Sequence, residues 1–263
     1  CPFIIDLIAT FCDGINLYLL TDYVECGTLM DMMIEQDYLS PELSQFYILN
    51  LLFAIKHCHY HACIHRDIKP ENCLIGSDGY LRLCDFGLAK KTPCAVQLPS
   101  GGFEVIHLAY TMCGTPEFMA PEFILGTGYN KSIDWWAMGC ILFEMYSARS
   151  PFDYDGDLKK TFREVCMIGM EKTRFKSNKY LENEPTTLSL LNKLLTYNSN
   201  RFQSGQCILK HSFFKSINVE SIQNKSVESP YIPRPPSPKH TNQVVESFHT
   251  KMEINSKAWY RYF

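Results

Sequence analysis

The chain has 263 residues, of which 46% are apolar and 20% charged, and its 25 Lys and Arg against 28 Asp and Glu give a net charge of −3. This near balance argues against a protein that coats nucleic acid or an anionic membrane, and the apolar content argues against a disordered chain. No uninterrupted apolar stretch reaches the roughly 18 residues of a membrane span. Twelve scattered cysteines without a CxxC pair indicate reduced thiols in a cytoplasmic protein.

The first predicted elements in chain order are two strands. Apolar side chains dominate residues 4–11, Asp13-Gly14 follows, and the strand-forming run Leu17–Thr21 comes next. An Asp-Gly pair between two such runs is a strong hairpin signal. The sequence therefore predicts a β-hairpin at the start of the chain.

A long helix is predicted to begin at Ser40-Pro41, because serine caps helix N-termini and proline fits the first helical turn. The apolar residues at positions 48, 51, 52 and 55 recur every third or fourth position and form one stripe. The helix is expected to end within residues 57–61.

A second hairpin is predicted from two strand-forming runs, residues 73–75 and 80–84, which flank the turn at residues 76–79. The following stretch, residues 90–112, is polar and contains glycine and proline. Loops of this length are usually functional or disordered, so it is predicted to be a long loop.

Further helices and a tail complete the predicted organisation. Residues 133–146 are apolar almost all round, which indicates a helix buried in the middle of a domain. Helices are also predicted around residues 158–166 and 188–195. From about residue 216 the chain becomes rich in proline, and it is predicted to be an extended tail that lies on the domain or is flexible.

Residues that can carry chemistry flank the second hairpin. The run H-R-D-I-K-P-E-N at residues 65–72 precedes it, and D-F-G, which begins at Asp85, follows it. Antiparallel return brings Asn72 and Asp85 nearly opposite one another, close to Asp67 and Lys69. Hard oxygen ligands beside a lysine suit Mg²⁺ that carries a polyphosphate, and a carboxylate without a metal, Asp67, can accept a hydroxyl proton.

The combination H-R-D-x-x-x-x-N with D-F-G resembles the protein kinase catalytic domain. Residues 113–122 look like the end of the activation segment in the cyclic-nucleotide-dependent, AGC-type serine/threonine group, and residues 132–139 look like the family's buried central helix. The ending with Trp259 and Phe263 is most similar to cGMP-dependent protein kinases, with cAMP-dependent kinases next.

The resemblance implies an α+β, protein-kinase-like fold, mainly the helical C-terminal lobe with the last strands of the N-terminal lobe and a C-terminal tail. The implied divisions are the end of the N-terminal lobe and hinge at 1–24, the C-terminal lobe at 25–215 and the AGC-type tail at 216–263. The Gly-rich loop, the strand lysine that binds ATP and its glutamate partner do not occur in the sequence. We therefore expect most of the N-terminal lobe to be missing and the chain to be a fragment of a true kinase.

The resemblance also implies ATP and Mg²⁺ as cofactors, and protein substrates with basic residues upstream of the target serine or threonine. Cyclic nucleotide would act only through domains absent from this chain. The resemblance implies catalysis by Asp67 and Lys69, and Mg²⁺ binding by Asn72 and Asp85. It implies ATP binding by Thr21, Asp22, Val24, Leu74, Lys69, Asn72 and Asp85.

The resemblance also implies an activation-loop phosphosite at Thr111, with Arg66 and Lys90 to bind its phosphate. The implied substrate-binding residues are Glu71, Glu144, Thr115, Met112, Pro116 and Met119. Structural roles are implied for Glu122, Arg201 and Asp134.

Some features depart from the family or favour other interpretations. Thr28 stands where the group has a glutamate, and the segment that leads to Thr111 is longer than usual. The alternating His57, His59 and His61 match no usual zinc frame, so a metal site there is not favoured. A catalytically inactive kinase-like scaffold stays an alternative, although such a scaffold has little need for all four polar residues around the hairpin. A metal-dependent phosphohydrolase would need more carboxylates than the sequence provides.

Overall fold

A computed structural model describes residues 1–92, 108–152, 156–170, 181 and 183–233. The strands are β1 (Leu7–Cys12), β2 (Leu17–Thr21), β3 (Cys63–Ile64), β4 (Cys73–Ile75), β5 (Leu81–Leu83) and β6 (Lys90–Lys91). The helices are α1 (Leu29–Gln36), α2 (Pro41–Tyr60), α3 (Pro121–Ile124), α4 (Ser132–Ser147), α5 (Leu158–Met170), α6 (Pro185–Leu194), α7 (Gly205–Leu209) and α8 (Val219–Gln223). This confirms the predicted α+β class. Within the described ranges, no helix combines the length and the apolarity that crossing a membrane requires.

Helices α2 and α4 form the centre of the core. The Ser40 hydroxyl accepts a hydrogen bond from the backbone N–H of Leu43 at 3.2 Å, so α2 begins where the sequence predicts. Helix α4 is buried along almost its whole length, as its continuous apolar sequence predicts. Burial of Trp135 and Trp136, both 0% exposed, contributes much of the apolar surface that holds α2, α4 and α6 together.

The hairpin of β4 and β5 lies on α2 and connects the central helices to the start of the chain. The predicted hairpin is confirmed, and Cys73 pairs with Leu83 in antiparallel register. The backbone N–H of Leu83 donates to the carbonyl of Phe3, and the backbone N–H of Ile75 donates to the carbonyl of Gly27. Backbone hydrogen bonds therefore hold the hairpin on both sides, and they hold the polar residues that flank it as well.

The predicted first hairpin is also confirmed, with β1 antiparallel to β2. The Asp13 carboxylate accepts the backbone N–H groups of Ile15 at 2.9 Å and Asn16 at 2.7 Å, which closes the turn. Large apolar side chains of this hairpin are exposed, including Ile8 at 60% and Leu19 at 72%.

Two loop predictions need correction. The loop predicted for residues 90–112 begins later, because Lys90–Lys91 pairs with β3 as strand β6; residues 93–107 lie outside the described part. The tail predicted to be extended from residue 216 first forms α8, where Asn218 caps the helix by accepting the backbone N–H of Ser221. Capping and packing against α2 allow this short helix to form before the prolines begin.

The tail then crosses the β4–β5 turn. The Lys225 ammonium lies 2.8 Å from the Asp78 carboxylate, and the Ser229 hydroxyl donates to the carbonyl of Gly79 at 3.1 Å. Gly79 has φ +73°, and a Cβ there would overlap Ser229 and Tyr231. The tail thus lies on the domain as far as residue 233; the aromatic ending with Trp259 and Phe263 lies outside the described residues.

A buried ion pair joins the segment before α4 to the segment after α6. The Arg201 guanidinium donates two hydrogen bonds to the Glu122 carboxylate, at 2.6 and 3.0 Å, and both residues are at most 3% exposed. Arg201 also donates to the carbonyls of Thr196 and Ser132 and lies 5.0 Å from the centre of the Trp136 ring. All parts of the guanidinium are therefore engaged, as a buried charge requires.

Removing either partner of this ion pair leaves an uncompensated buried charge. We expect Arg201→Met to lower the free energy of unfolding by about 3–5 kcal/mol, measured by urea denaturation. The control is Asp157→Asn, which removes the exposed Asp157–Lys160 pair and keeps an oxygen for the backbone N–H groups of α5. A loss no larger than that of the control would contradict the expectation.

Candidate active site

Asp67 lies at the centre of a hydrogen-bonded network. One carboxylate oxygen accepts from the Thr115 hydroxyl at 3.0 Å, and the other lies 2.9 Å from the Lys69 ammonium and accepts from the Asn72 amide at 3.1 Å. Lys69 also donates to the Thr115 hydroxyl at 3.0 Å. Two residues of the same loop, Lys69 and Asn72, and Thr115 from a distant segment thus hold a buried carboxylate in a fixed orientation.

The backbone of this loop is held by Asp134, the third residue of α4. Its carboxylate accepts the backbone N–H groups of His65 at 3.1 Å and Arg66 at 3.0 Å. Arg66 has φ +71°, a strained conformation for a residue with a side chain. The two hydrogen bonds offset that strain and determine the direction in which Asp67 leaves the loop.

His59 is the residue that sequence analysis missed here. Its Nε2 lies 2.7 Å from the Asp134 carboxylate, and its ring lies edge-on against Trp135 with the ring centres 4.8 Å apart. The alternating histidines in the sequence raised only the possibility of a zinc site. No group of three metal-binding side chains occurs among the residues that the structure describes. His59 instead supplies a third partner for Asp134.

Asp85 is positioned by contacts of its neighbours. The backbone N–H of Cys84 donates to the carbonyl of Asn72 at 2.9 Å, so Asp85 lies one residue beyond direct opposition to Asn72. His65 contacts the carbonyl of Cys84 through Nε2 at 3.0 Å, and its ring lies against Phe86. Asp85 itself is exposed, has φ +59° and accepts the backbone N–H of Gly87 through one carboxylate oxygen.

The donor set fits Mg²⁺. Because the Asn72 amide nitrogen donates to Asp67, the amide oxygen is turned away from that carboxylate. The exposed Asp85 carboxylate supplies further hard oxygens on the adjacent corner of the hairpin. Mg²⁺ in phosphate-binding sites is typically held by one or two such protein oxygens, with substrate oxygens and water completing its shell.

Asp67 is ionised at neutral pH. Burial by itself raises the pKa of this carboxyl, but the hydrogen bonds from Lys69 and Thr115 and the charge of Lys69 outweigh it, and the pKa is lowered overall. The site therefore presents a carboxylate, a lysine cation and hard oxygen donors within one network. This combination can orient a hydroxyl group and stabilise a phosphoryl group.

Comparisons with known proteins agree with this geometry. The sequence model of the family described as "Protein kinase domain" matches residues 1–214. The chain belongs to the protein kinase domain family. It is 32% identical over 237 residues to the cAMP-dependent protein kinase catalytic subunit of Arthrobotrys oligospora, covering 88% of this chain and 42% of that protein. It is 35% identical over 234 residues to serine/threonine-protein kinase sck1 of Schizosaccharomyces pombe, covering 88% of this chain and 32% of that protein.

A third relative is the RAC family serine/threonine-protein kinase homolog of Dictyostelium discoideum, 32% identical over 244 residues, which cover 92% of this chain and 51% of that protein. The chain thus spans about half or less of the length of these relatives. The fold is that of the protein kinase family, as the sequence predicts.

The predicted adenine-binding residues lie along the segment from β2 to β4. Thr21 ends β2, and its hydroxyl donates to the carbonyl of Asp22 at 3.2 Å, which leaves that carbonyl a second lone pair. Val24 follows two residues later. Leu74 is half-buried in β4 and pairs with Thr28, which caps α1 together with Asp31. The ATP-binding roles of these residues stay predictions.

The predicted phosphosite Thr111 is connected to the predicted phosphate-binding residue Arg66 only through Tyr129. Thr111 is exposed, but Arg66 binds the Tyr129 hydroxyl at 2.9 Å and the carbonyl of Leu88 at 2.7 Å rather than the Thr111 side chain. Lys90 lies opposite Ile64 in β6. Tyr129, which sequence analysis did not single out, bridges Arg66 and the Thr111 carbonyl.

The predicted substrate-binding residues divide by exposure. Glu71 and Met112 are exposed, while Thr115, Pro116 and Met119 are half-buried beside Asp67 and its loop. Glu144 differs, because it is only 6% exposed within α4. The substrate-binding role of Glu144, like those of the other five residues, stays a prediction.

The lowered pKa of Asp67 has a measurable consequence. A carboxyl whose folded pKa is depressed contributes stability above its unfolded pKa of about 3.9 and loses it as the pH falls through the folded value. We expect the difference in the free energy of unfolding between the wild-type protein and Asp67→Asn to be constant from pH 7 to 5 and to change below about pH 4. Urea denaturation across this range measures it.

The control is Gln36→Ala, which changes no titratable group, and its difference from the wild-type protein should stay flat with pH. A difference for Asp67→Asn that drifts between pH 7 and 5 would contradict the lowered pKa.

Proposed function

We propose that this chain carries the catalytic residues of a serine/threonine protein kinase of the AGC type, which transfers the γ-phosphoryl group of ATP to serine or threonine side chains of proteins. The single observation that supports it most is the network of Asp67, Lys69, Thr115 and Asn72. The named relatives are themselves called serine/threonine or cAMP-dependent protein kinases.

The residues divide the work of the reaction. Asp67, ionised and oriented by Thr115 and Asn72, accepts a hydrogen bond from the substrate hydroxyl and takes up its proton as the oxygen attacks the γ-phosphorus. The bond from that phosphorus to the bridging oxygen breaks, and the bridging oxygen leaves on ADP. Lys69, beside Asp67, neutralises charge on the transferred phosphoryl group. Asn72 and Asp85 would hold Mg²⁺, which supplies charge neutralisation to the ATP phosphates when bound.

Substrate choice and regulation are further parts of the proposal. Glu71 is exposed in the proposed catalytic loop, residues 65–72, and its carboxylate suits a basic residue upstream of the target. The apolar side chains of Met112, Pro116 and Met119 suit an apolar residue after it. Dependence of the parent protein on a cyclic nucleotide is supported by the resemblance of residues 113–122, and cGMP in particular by the ending with Trp259 and Phe263. A cytoplasmic location is proposed from the scattered cysteines.

The alternative, a kinase-like binding scaffold without activity, is disfavoured by one observation. Thr115 comes from a segment 48 positions away in the chain, yet it contacts both Asp67 and Lys69. A surface that serves only for binding needs no such alignment of a buried carboxylate with a lysine.

The test is phosphoryl transfer by the full-length protein from Mg-ATP to a basic peptide with a single serine. We expect Asp67→Asn to lower the rate at least about 100-fold with an unchanged circular dichroism spectrum, because the proton acceptor is lost. Asp157→Asn, on the surface at the start of α5, is the matched control and should keep the wild-type rate. No transfer by the wild-type protein, while it still binds a protein partner, would favour the scaffold.

Thr115 provides a second test of the network. Thr115→Ala removes the hydroxyl that connects Lys69 to Asp67, and we expect the transfer rate to fall about 10–100-fold, as for loss of hydrogen bonds to charged groups. Thr115→Ser keeps the hydroxyl and should retain most of the rate. If serine and alanine behave alike, the hydroxyl has no part in the reaction.

A further inference from the structure

Tyr129 occupies a junction between the segment that contains Thr111 and the catalytic loop. It precedes α4 and is 2% exposed. Its hydroxyl donates to the carbonyl of Thr111 at 2.8 Å and accepts from the guanidinium of Arg66 at 2.9 Å. One phenol therefore connects Thr111 to the residue that directly precedes Asp67.

The backbone of Tyr129 strengthens this connection. Its N–H donates to the carbonyl of Ala109 at 3.0 Å, and its carbonyl accepts the N–H of Ala109 at 2.9 Å. Ala109 is 1% exposed, and Gly128 lies against Leu108 and Tyr110. The two backbone hydrogen bonds between Ala109 and Tyr129 thus hold residues 108–111, and the Tyr129 hydroxyl adds a side-chain hydrogen bond at Thr111.

Arg66 extends the connection from Tyr129 to Leu88. Its Nε donates to the carbonyl of Leu88 at 2.7 Å, just after the Asp85-Phe86-Gly87 motif. Its Nη1 donates to Tyr129, and within the part of the chain that the structure describes Nη2 makes no hydrogen bond. The guanidinium is therefore oriented by two bonds while one edge stays available to an anion.

The phenol is suited to this double role. Burial raises the pKa of Tyr129, and the hydrogen bond from Arg66 offsets only part of that rise, so the hydroxyl stays protonated at neutral pH and keeps a proton to donate. The ring itself packs on Phe123, with ring centres 4.3 Å apart. Phenylalanine would keep this packing and lose only the two hydroxyl bonds.

We propose that Tyr129 is a positioning residue whose hydroxyl aligns Arg66 with the Thr111 backbone before any phosphate is attached, so that the catalytic loop is preset in the unphosphorylated protein. This rests on the proposed kinase function. A phosphate on Thr111 would bind the free edge of Arg66 and fix the same alignment independently. The hydroxyl then matters most when that phosphate is absent.

The experiment compares Tyr129→Phe with the wild-type sequence in two forms of the full-length protein. One form carries Thr111→Ala, which keeps the backbone carbonyl but cannot be phosphorylated. The other has Thr111 phosphorylated, verified by mass spectrometry. The matched control is Tyr60→Phe at the end of α2, where the side chain is 84% exposed.

In the Thr111→Ala form we expect Tyr129→Phe to lower kcat for a basic peptide at least about 10-fold, with KM for ATP unchanged. In the phosphorylated form the loss should shrink to less than about 3-fold, because the phosphate replaces the lost alignment. Tyr60→Phe should change neither form. Equal losses in both forms, or no loss in either, would overturn the proposal.

Hydrogen exchange separates this proposal from the kinase function. In the Thr111→Ala form, Tyr129→Phe should speed amide exchange in residues 109–115 at least about 10-fold, whether or not phosphate is transferred. Faster exchange in a protein that transfers no phosphate would keep the positioning role and reject the catalytic one. Unchanged exchange would reject the positioning role even in an active kinase.

Discussion

The structure of the site depends on one buried carboxylate. Asp134 lies inside the domain on the most apolar of the described helices, where an unpartnered charge would be prohibitively unfavourable. It is tolerated because the backbone N–H groups of His65 and Arg66 and the ring of His59 surround it. The same bonds hold Arg66 in a left-handed conformation that is otherwise disfavoured. The core and the site are therefore stabilised by the same contacts.

From Asp134 and the loop that it holds, the polar network extends in two directions. Asp67 leaves the loop toward Lys69, Asn72 and Thr115, which compensate its burial with hydrogen bonds and opposite charge. Arg66 leaves it toward Tyr129 and Leu88. Each polar side chain named in these two branches has a hydrogen-bond partner, so the loop cannot move without breaking several bonds at once.

Much of the architecture was predictable from local pattern. The first hairpin, the start of α2 at Ser40, the buried α4 and the hairpin of β4 and β5 all follow from capping residues, turn residues and apolar periodicity. Two predictions failed for a common reason. Strand β6 and helix α8 are short elements that exist because β3 and α2 offer partners, and such partners leave no periodic signal in the sequence. The burial of Glu144 likewise reflects the position of α4 in the core.

The sequence alone determined which chemically capable residues are present, since Asp67, Lys69, Asn72 and Asp85 stand at fixed spacing on either side of one hairpin. Only the tertiary structure decided how that chemistry is oriented. His59 meets Asp134 across 75 positions, and Tyr129 meets Arg66 across 63. Contacts at such separation form when helices pack and loops close, and a one-dimensional pattern records the residue types but not which of them meet.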